Sequence, residues 1–162
     1  MSYDMIKVGM ADLNSAHHPC MITTLGLGSC VGVALYDSQT KIIGLAHVML
    51  PSSEQAKNKS NPAKFADTAI VILANDMVRL GAKRENIVAK LAGGAQMFNF
   101  SSGSDLMRIG YRNVIACKEK LQELRIPIIS EDTGGNYGRT IELYSSDGKL
   151  MIKTIGFGIK QI

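Results

Sequence analysis

Cys30-Val31-Gly32-Val33-Ala34-Leu35-Tyr36, Asp37-Ser38-Gln39-Thr40 and Lys41-Ile42-Ile43-Gly44-Leu45-Ala46-His47-Val48-Met49-Leu50 follow one another without a break, and Pro51 ends the run. The outer two stretches are apolar, and each contains one glycine, Gly32 and Gly44. The middle one is polar and four residues long. This is the pattern of a β-hairpin. With Asp37–Thr40 as the loop, Tyr36 pairs with Lys41 and Leu35 with Ile42. Extending the ladder sets Cys30 directly across from His47. Opposed residues share a face, with Cβ atoms about 4.5–5.5 Å apart. A register shift of two leaves the pair diagonal on one face, and a shift of one puts the two on opposite faces.

Beyond the hairpin, Ser52–Asn61 is polar and reads as a loop. Asn61 followed by Pro62 has the form of a helix start. Ala66, Ala69, Ile70, Leu73, Met77 and Leu80 then recur at a helical period, and Gly81 stands where a helix-ending glycine belongs. Ile87–Ala92 reads as a strand broken by Gly93-Gly94-Ala95. A second helix spans about Tyr111–Leu124, with Val114, Cys117, Leu121 and Leu124 on one stripe. Pro127–Glu131 is a strand, Thr133–Gly138 a glycine-rich loop, and Arg139–Tyr144 with Lys149–Ile155 a hairpin around Ser146-Asp147-Gly148. Residues 1–162 therefore read as one mixed, strand-rich α/β domain of the α+β kind. Runs of strands rather than regular β–α alternation argue against a doubly wound sheet.

The composition is that of an ordinary globular chain: 46% hydrophobic and 20% charged residues among 162. No apolar run approaches the roughly 20 residues of a membrane-spanning helix. The N-terminus has no basic segment followed by an apolar one. Three cysteines, Cys20, Cys30 and Cys117, are too few for a disulfide scaffold. A cytoplasmic protein without membrane insertion is expected. The net charge of +4 is spread along the chain, Lys57, Lys59 and Lys64 being its one loose cluster. Trp is absent and aromatics are few, so no base-stacking platform is expected and nucleic acid is not the expected partner.

A free thiol has a pKa of about 8.5 and is mostly protonated at neutral pH. An imidazole on the same face can take that proton and later return it to a leaving amine. Gly26, Gly28 and Gly32 flank Cys30 and admit close approach. Backbone N–H groups around Gly28, Ser29, Cys30 and Val31 are candidates for an oxyanion hole. The competing reading makes Cys30 a buried small hydrophobe and His47 a satisfied core histidine. Pattern and spacing leave both open.

Thr24-Leu25-Gly26-Leu27-Gly28-Ser29-Cys30-Val31-Gly32, with His47 seventeen residues after the cysteine, resembles the CheD family of chemoreceptor glutamine deamidases. The resemblance continues through Gly44–Pro51, Gly93-Gly94-Ala95, Ile109-Gly110-Tyr111-Arg112-Asn113, and Gly134-Gly135 ahead of Gly138-Arg139. It implies a layered α/β/β sandwich akin to the catalytic domain of cytotoxic necrotizing factor toxins. It implies that Cys30 attacks a receptor glutamine carboxamide, that His47 activates the thiol and that Thr24 orients the imidazole. No metal and no organic cofactor are implied. The implied partners are chemoreceptor cytoplasmic helices and the chemotaxis phosphatase CheC. Some members are associated with receptor methylester hydrolysis. The rival reading is an interaction module that binds and stimulates the phosphatase with little catalysis of its own.

Other features take ordinary readings. Thr24 and its neighbour Thr23 are strand or turn hydroxyls if the family is set aside. Cys117 belongs to a core stripe. His17-His18-Pro19-Cys20 matches no common metal-site spacing and reads as a surface loop. Gly26-Leu27-Gly28 precedes a strand-like run, not the helix that a dinucleotide fingerprint requires. Gly134–Arg139 lacks the Lys-Ser/Thr ending of a phosphate loop and reads as a tight turn, with Arg139 available to an acidic residue. Asp67 suits the positive end of the first helix, and the resemblance makes that edge a candidate rim of the site.

Overall fold

Before the hairpin the chain forms three strands, β1 (Asp4–Val8), β2 (Leu13–Ala16) and β3 (Cys20–Leu27). The hairpin itself is β4 (Val31–Asp37) and β5 (Ile42–Val48). Helix α1 (Ala66–Leu80), β6 (Ile87–Gly93), helix α2 (Ile109–Glu123), β7 (Ile128–Thr133), β8 (Arg139–Tyr144), β9 (Leu150–Thr154) and β10 (Gly158–Gln161) follow. This is a computed structural model, and it describes residues 3–54, 56–97 and 108–162.

The strands make two five-stranded sheets, in the orders β1-β3-β8-β9-β10 and β2-β5-β4-β6-β7. The helices cover one face of the second sheet, where Val31, Val33, Leu35, Ala46 and Val48 pack against Ile70, Leu73, Met77, Cys117 and Leu121. Its other face meets the first sheet through Ala34, Ile43, Leu45, Ala92, Ile22, Ile141 and Ile152. The layering is therefore helix, sheet, sheet: the α/β/β sandwich expected from the sequence. It also explains the two kinds of strand. β4 and β5 are covered on both faces and read as continuous apolar runs, whereas β8 and β9 face solvent on one side and alternate.

The hairpin register differs from the expected one by two residues. Asp37 pairs with Ile42, Tyr36 with Ile43 and Gly32 with His47. Asp37 ends the strand and does not begin the loop. Its side chain is fully buried; Oδ1 accepts from the N–H groups of Gln39 (2.9 Å) and Thr40 (3.3 Å), and Oδ2 from that of Lys83 (2.9 Å). The Lys41 N–H reaches the Asp37 carbonyl, and Lys41 adopts φ 60°. Burial alone would raise the Asp37 carboxyl, but these backbone donors outweigh it and hold it below its usual range. The loop is thus Ser38–Lys41. A shift of two preserves the faces, so Cys30 and His47 remain on the same side.

Element ends move for similar local reasons. Asn61 caps a 3-10 turn (Pro62–Lys64) through Ala63 N, and α1 begins only after Phe65. Gly81 closes α1 at φ 119° as expected. The N-terminal strands, β3 and β10 carried no clear sequence signal. Cys20 corrects another reading. It is not in a surface loop but is the buried first residue of β3, its N–H bonded to Ser145 Oγ at 2.9 Å.

Asp37→Ala should leave three backbone donors without their acceptor and cost about 1.5–3 kcal/mol or more, the range for a hydrogen bond to a charged group. Urea unfolding of the two proteins measures it, and an unchanged midpoint would show that the carboxylate does not hold the register.

Candidate active site

Cys30 lies just outside the β4–β5 ladder, whose last pair is Val31 with Val48. It shares the inter-sheet face with Ala34 and is 8% exposed. His47 faces the same interior and is completely buried. With Gly32 opposite His47, Cys30 is its diagonal neighbour, a separation of about 7–8 Å between Cα atoms in a regular ladder. The missing side chain at Gly32 has a second consequence. A Cβ there would come 2.5 Å from Ile141 Cδ1, so glycine lets the opposite sheet press in at this point.

What presses in is Thr24, the register partner of Ile141. Its Oγ1 lies 2.7 Å from His47 Nδ1 and 2.7 Å from the Val8 carbonyl oxygen. A carbonyl only accepts, so the single hydroxyl hydrogen goes to Val8. Toward His47 the hydroxyl can then only accept. The neutral imidazole must therefore carry its hydrogen on Nδ1, which leaves the lone pair on Nε2. Nε2 is buried and has no hydrogen-bond partner among the described residues. The ring is held by one nitrogen, and the other keeps its lone pair without a hydrogen bond among the described residues.

The main chain of His47 is held as firmly. Its carbonyl accepts from Ala11 N at 3.1 Å and its N–H donates to Asp12 O at 2.9 Å. Val8, Ala11 and Asp12 thus position His47, and nothing in their side-chain chemistry could have announced it. On the cysteine side, Gly94 N donates to Cys30 O (2.8 Å) and Ala95 N to Gly28 O (2.9 Å). Gly93 could not be another residue, because a Cβ there would strike the Cys30 carbonyl. Burial pushes the Cys30 thiol up, partly offset by its own backbone N–H, and pushes the His47 imidazole down. Each group alone favours its neutral form.

The remaining expected residues fall as follows. Gly28 and Ser29 are half-buried, and Gly28 lies beneath Met97. Val31 is buried on the helix-facing side, so only its backbone can serve the site. Gly134 N reaches Gly93 O, and Gly135 O accepts from Gln96 N, which brings the glycine-rich loop beside the cysteine segment. A depression of about 240 Å³ there is lined by Gly94, Gln96, Tyr111, Val114, Thr133 and Gly134. Arg139 is buried and pairs with Asp132 at 3.1 Å. Asp67 holds the Ser53 N–H and hydroxyl and is not near Cys30 by any bond it makes. Cys117 sits in the helix-side core, its thiol pushed up to about 12 by burial. His18 Nδ1 meets Ser145 Oγ, and among the described residues no cluster of three metal-ligating side chains forms.

Thr24→Val keeps the shape and removes the hydroxyl. The His47 ring ¹⁵N shifts should move from a pure Nδ1–H tautomer toward a mixture, and unchanged shifts would refute the lock. His47 also makes stability depend on pH. Unfolded, it takes a proton near its ordinary 6.5; folded, only below that. Under pH 6.5 the unfolded state therefore binds more protons, and stability falls as pH falls until the folded group titrates too. Urea unfolding between pH 7 and 5 should show a shallower loss in His47→Gln than in the native chain.

A family model described as CheD chemotactic sensory transduction matches residues 49–154, beginning just past His47. The protein named "Probable chemoreceptor glutamine deamidase CheD" of Caldanaerobacter subterraneus is 56% identical over all of both chains. The protein of the same name in Lachnoclostridium phytofermentans is 58% identical over 98% of this chain and 99% of its own, and that of Clostridium novyi 55% over all of both. Among solved structures, the Bacillus licheniformis hypothetical protein YfiH aligns with 75% of this chain and 50% of that one at 13% identity and a TM-score of 0.47, a likeness too distant to carry an argument. With more than half of its length matched by the family model and full-length relatives at this identity, the chain belongs to the CheD family.

Proposed function

We propose that this chain deamidates glutamine side chains on the cytoplasmic helices of chemoreceptors, with Cys30 as nucleophile, His47 as general base and acid, and Thr24 as the residue that orients the imidazole. The names of its relatives support the substrate. The observation that carries the mechanism is the Thr24 hydroxyl, which donates to Val8 and so leaves the lone pair of His47 on Nε2.

His47 Nε2 takes the Cys30 proton, and the thiolate forms a bond to the carboxamide carbon. Backbone N–H groups in the Gly28–Val31 segment receive the oxyanion. The imidazolium gives its proton to the amide nitrogen, the C–N bond breaks, and ammonia leaves a thioester. Water, deprotonated by His47, then releases glutamate and the thiol. The same sequence on a glutamate methylester releases methanol in place of ammonia, which extends the proposal to receptor methylesters. No step calls for a metal or an organic cofactor. Residues 1–162 act as one deamidase domain in the cytoplasm, no described helix being long and apolar enough to cross a membrane. The CheC phosphatase is the proposed regulatory partner.

Incubation of a receptor cytoplasmic fragment with the protein should add about 1 Da at defined glutamines and release ammonia, as replacement of a leaving amine by water requires. Cys30→Ala should lower that rate by at least about 10³-fold, and His47→Ala by about 10²–10⁴-fold. Conversion that survives Cys30→Ala would discard the mechanism. No conversion on several competent receptors, together with tight CheC binding, would make the chain an interaction module instead.

A further inference from the structure

Asn113 is the fifth residue of α2 and is completely buried. Its Nδ2 donates to two main-chain oxygens, those of Ser29 and Met49, each at 3.0 Å. Both partners are carbonyls and can only accept, so the chemistry allows one orientation of the amide. Its Oδ1 has no hydrogen-bond partner among the described residues. Ser29 immediately precedes Cys30, and Met49 follows His47 by two. The β4–β5 ladder stops at Val31 and Val48. One side chain therefore joins the two segments at the point where backbone pairing no longer does.

The same helix bears on Cys30 from the other side. Gly110 packs directly on the Gly94 and Ala95 carbonyls, its would-be Cβ only 2.6 Å from Gly94 O. Gly94 and Ala95 in turn hold Cys30 O and Gly28 O. The nucleophile segment is thus gripped between two contacts of α2, neither of which reaches the reacting atoms.

We infer that Asn113 is a positioning residue, whose amide clamps the Ser29 and Met49 carbonyls and so sets the distance and angle between Cys30 Sγ and His47 Nε2. The inference rests on the Cys30–His47 reading above. It assigns to α2 a share of the catalytic geometry beyond core packing.

The test is the rate of Cys30 alkylation by iodoacetamide across pH 5 to 10, read by peptide mass spectrometry on the full chain, beside kcat and KM on a receptor fragment. Asn113→Asp keeps the shape but turns a carboxylate oxygen toward the carbonyls. It should slow Cys30 alkylation at neutral pH and lower kcat by about tenfold to a hundredfold, the scale of a small misplacement of reacting groups. It should leave KM unchanged and raise the alkylation inflection toward that of His47→Ala. Leu121→Ala, a core truncation on the same helix, should lose stability without moving that inflection. If Asn113→Asp does not fold, Asn113→Ser, which keeps one donor on a shorter side chain, should show the same raised inflection. A folded variant with the native inflection and kcat overturns the clamp while leaving the Cys–His mechanism standing. A native Cys30 whose alkylation is indifferent to His47→Ala overturns that mechanism, and the clamp with it.

Discussion

The hydrogen bond from His47 Nδ1 to Thr24 Oγ1 crosses between two sheets, and most of the site depends on those sheets lying close enough for it to form. Thr24 is on β3 of one sheet and His47 on β5 of the other. Gly32 makes the approach possible, since Ile141 from the opposing sheet occupies the space a side chain would fill. Between Thr24 and Leu27, β3 carries one residue more than the Ile141–Arg139 stretch it pairs with, and Gly26 there takes φ 71°. Such a bulge bends the strand. Here it lies where the chain leaves the first sheet, passes through Gly28–Cys30 and enters the second as β4. Cys30 sits on the crossing between layers, and His47 on a strand that both layers bury.

Burial gives the anchor on His47 its consequence. An imidazole in this interior is driven toward neutrality, and a neutral ring has two tautomers. Only the one with the lone pair on Nε2 can accept a proton while Nδ1 remains bound to Thr24. The Val8 carbonyl makes the choice by consuming the threonine hydrogen. A main-chain oxygen of an edge strand thereby fixes the tautomer of a neutral ring on another sheet. Asp37 is committed to the hairpin turn, and Asp132 lies between Arg139 and Lys160.

On the helix side, Gly93, Gly94 and Gly110 allow backbone to meet backbone. Close main-chain approach transmits position with little slack, since no rotamer can absorb a shift. The Asn113 amide adds direction to that contact. Together they tie the α layer to the segment that carries Cys30, so that all three layers converge on one pair of side chains.

The amino-acid sequence by itself determined the hairpin, the two helices, the shared face of Cys30 and His47, and the family. Each of these is written in local periodicity or in a motif, and parity survives a register error of two. Apolar alternation cannot register that Asp37 would be buried and would claim the turn donors, so the loop read as Asp37–Thr40 closed instead as Ser38–Lys41. Thr24 is an unremarkable strand threonine until a second sheet places an imidazole 2.7 Å away. Val8, Ala11 and Asp12 act through backbone atoms, which every residue has, and Asn113 lies 83 positions from Cys30 in the numbering. Only the tertiary structure decided which nitrogen of His47 keeps its lone pair, because that choice rests on a hydrogen bond between segments that no local pattern connects.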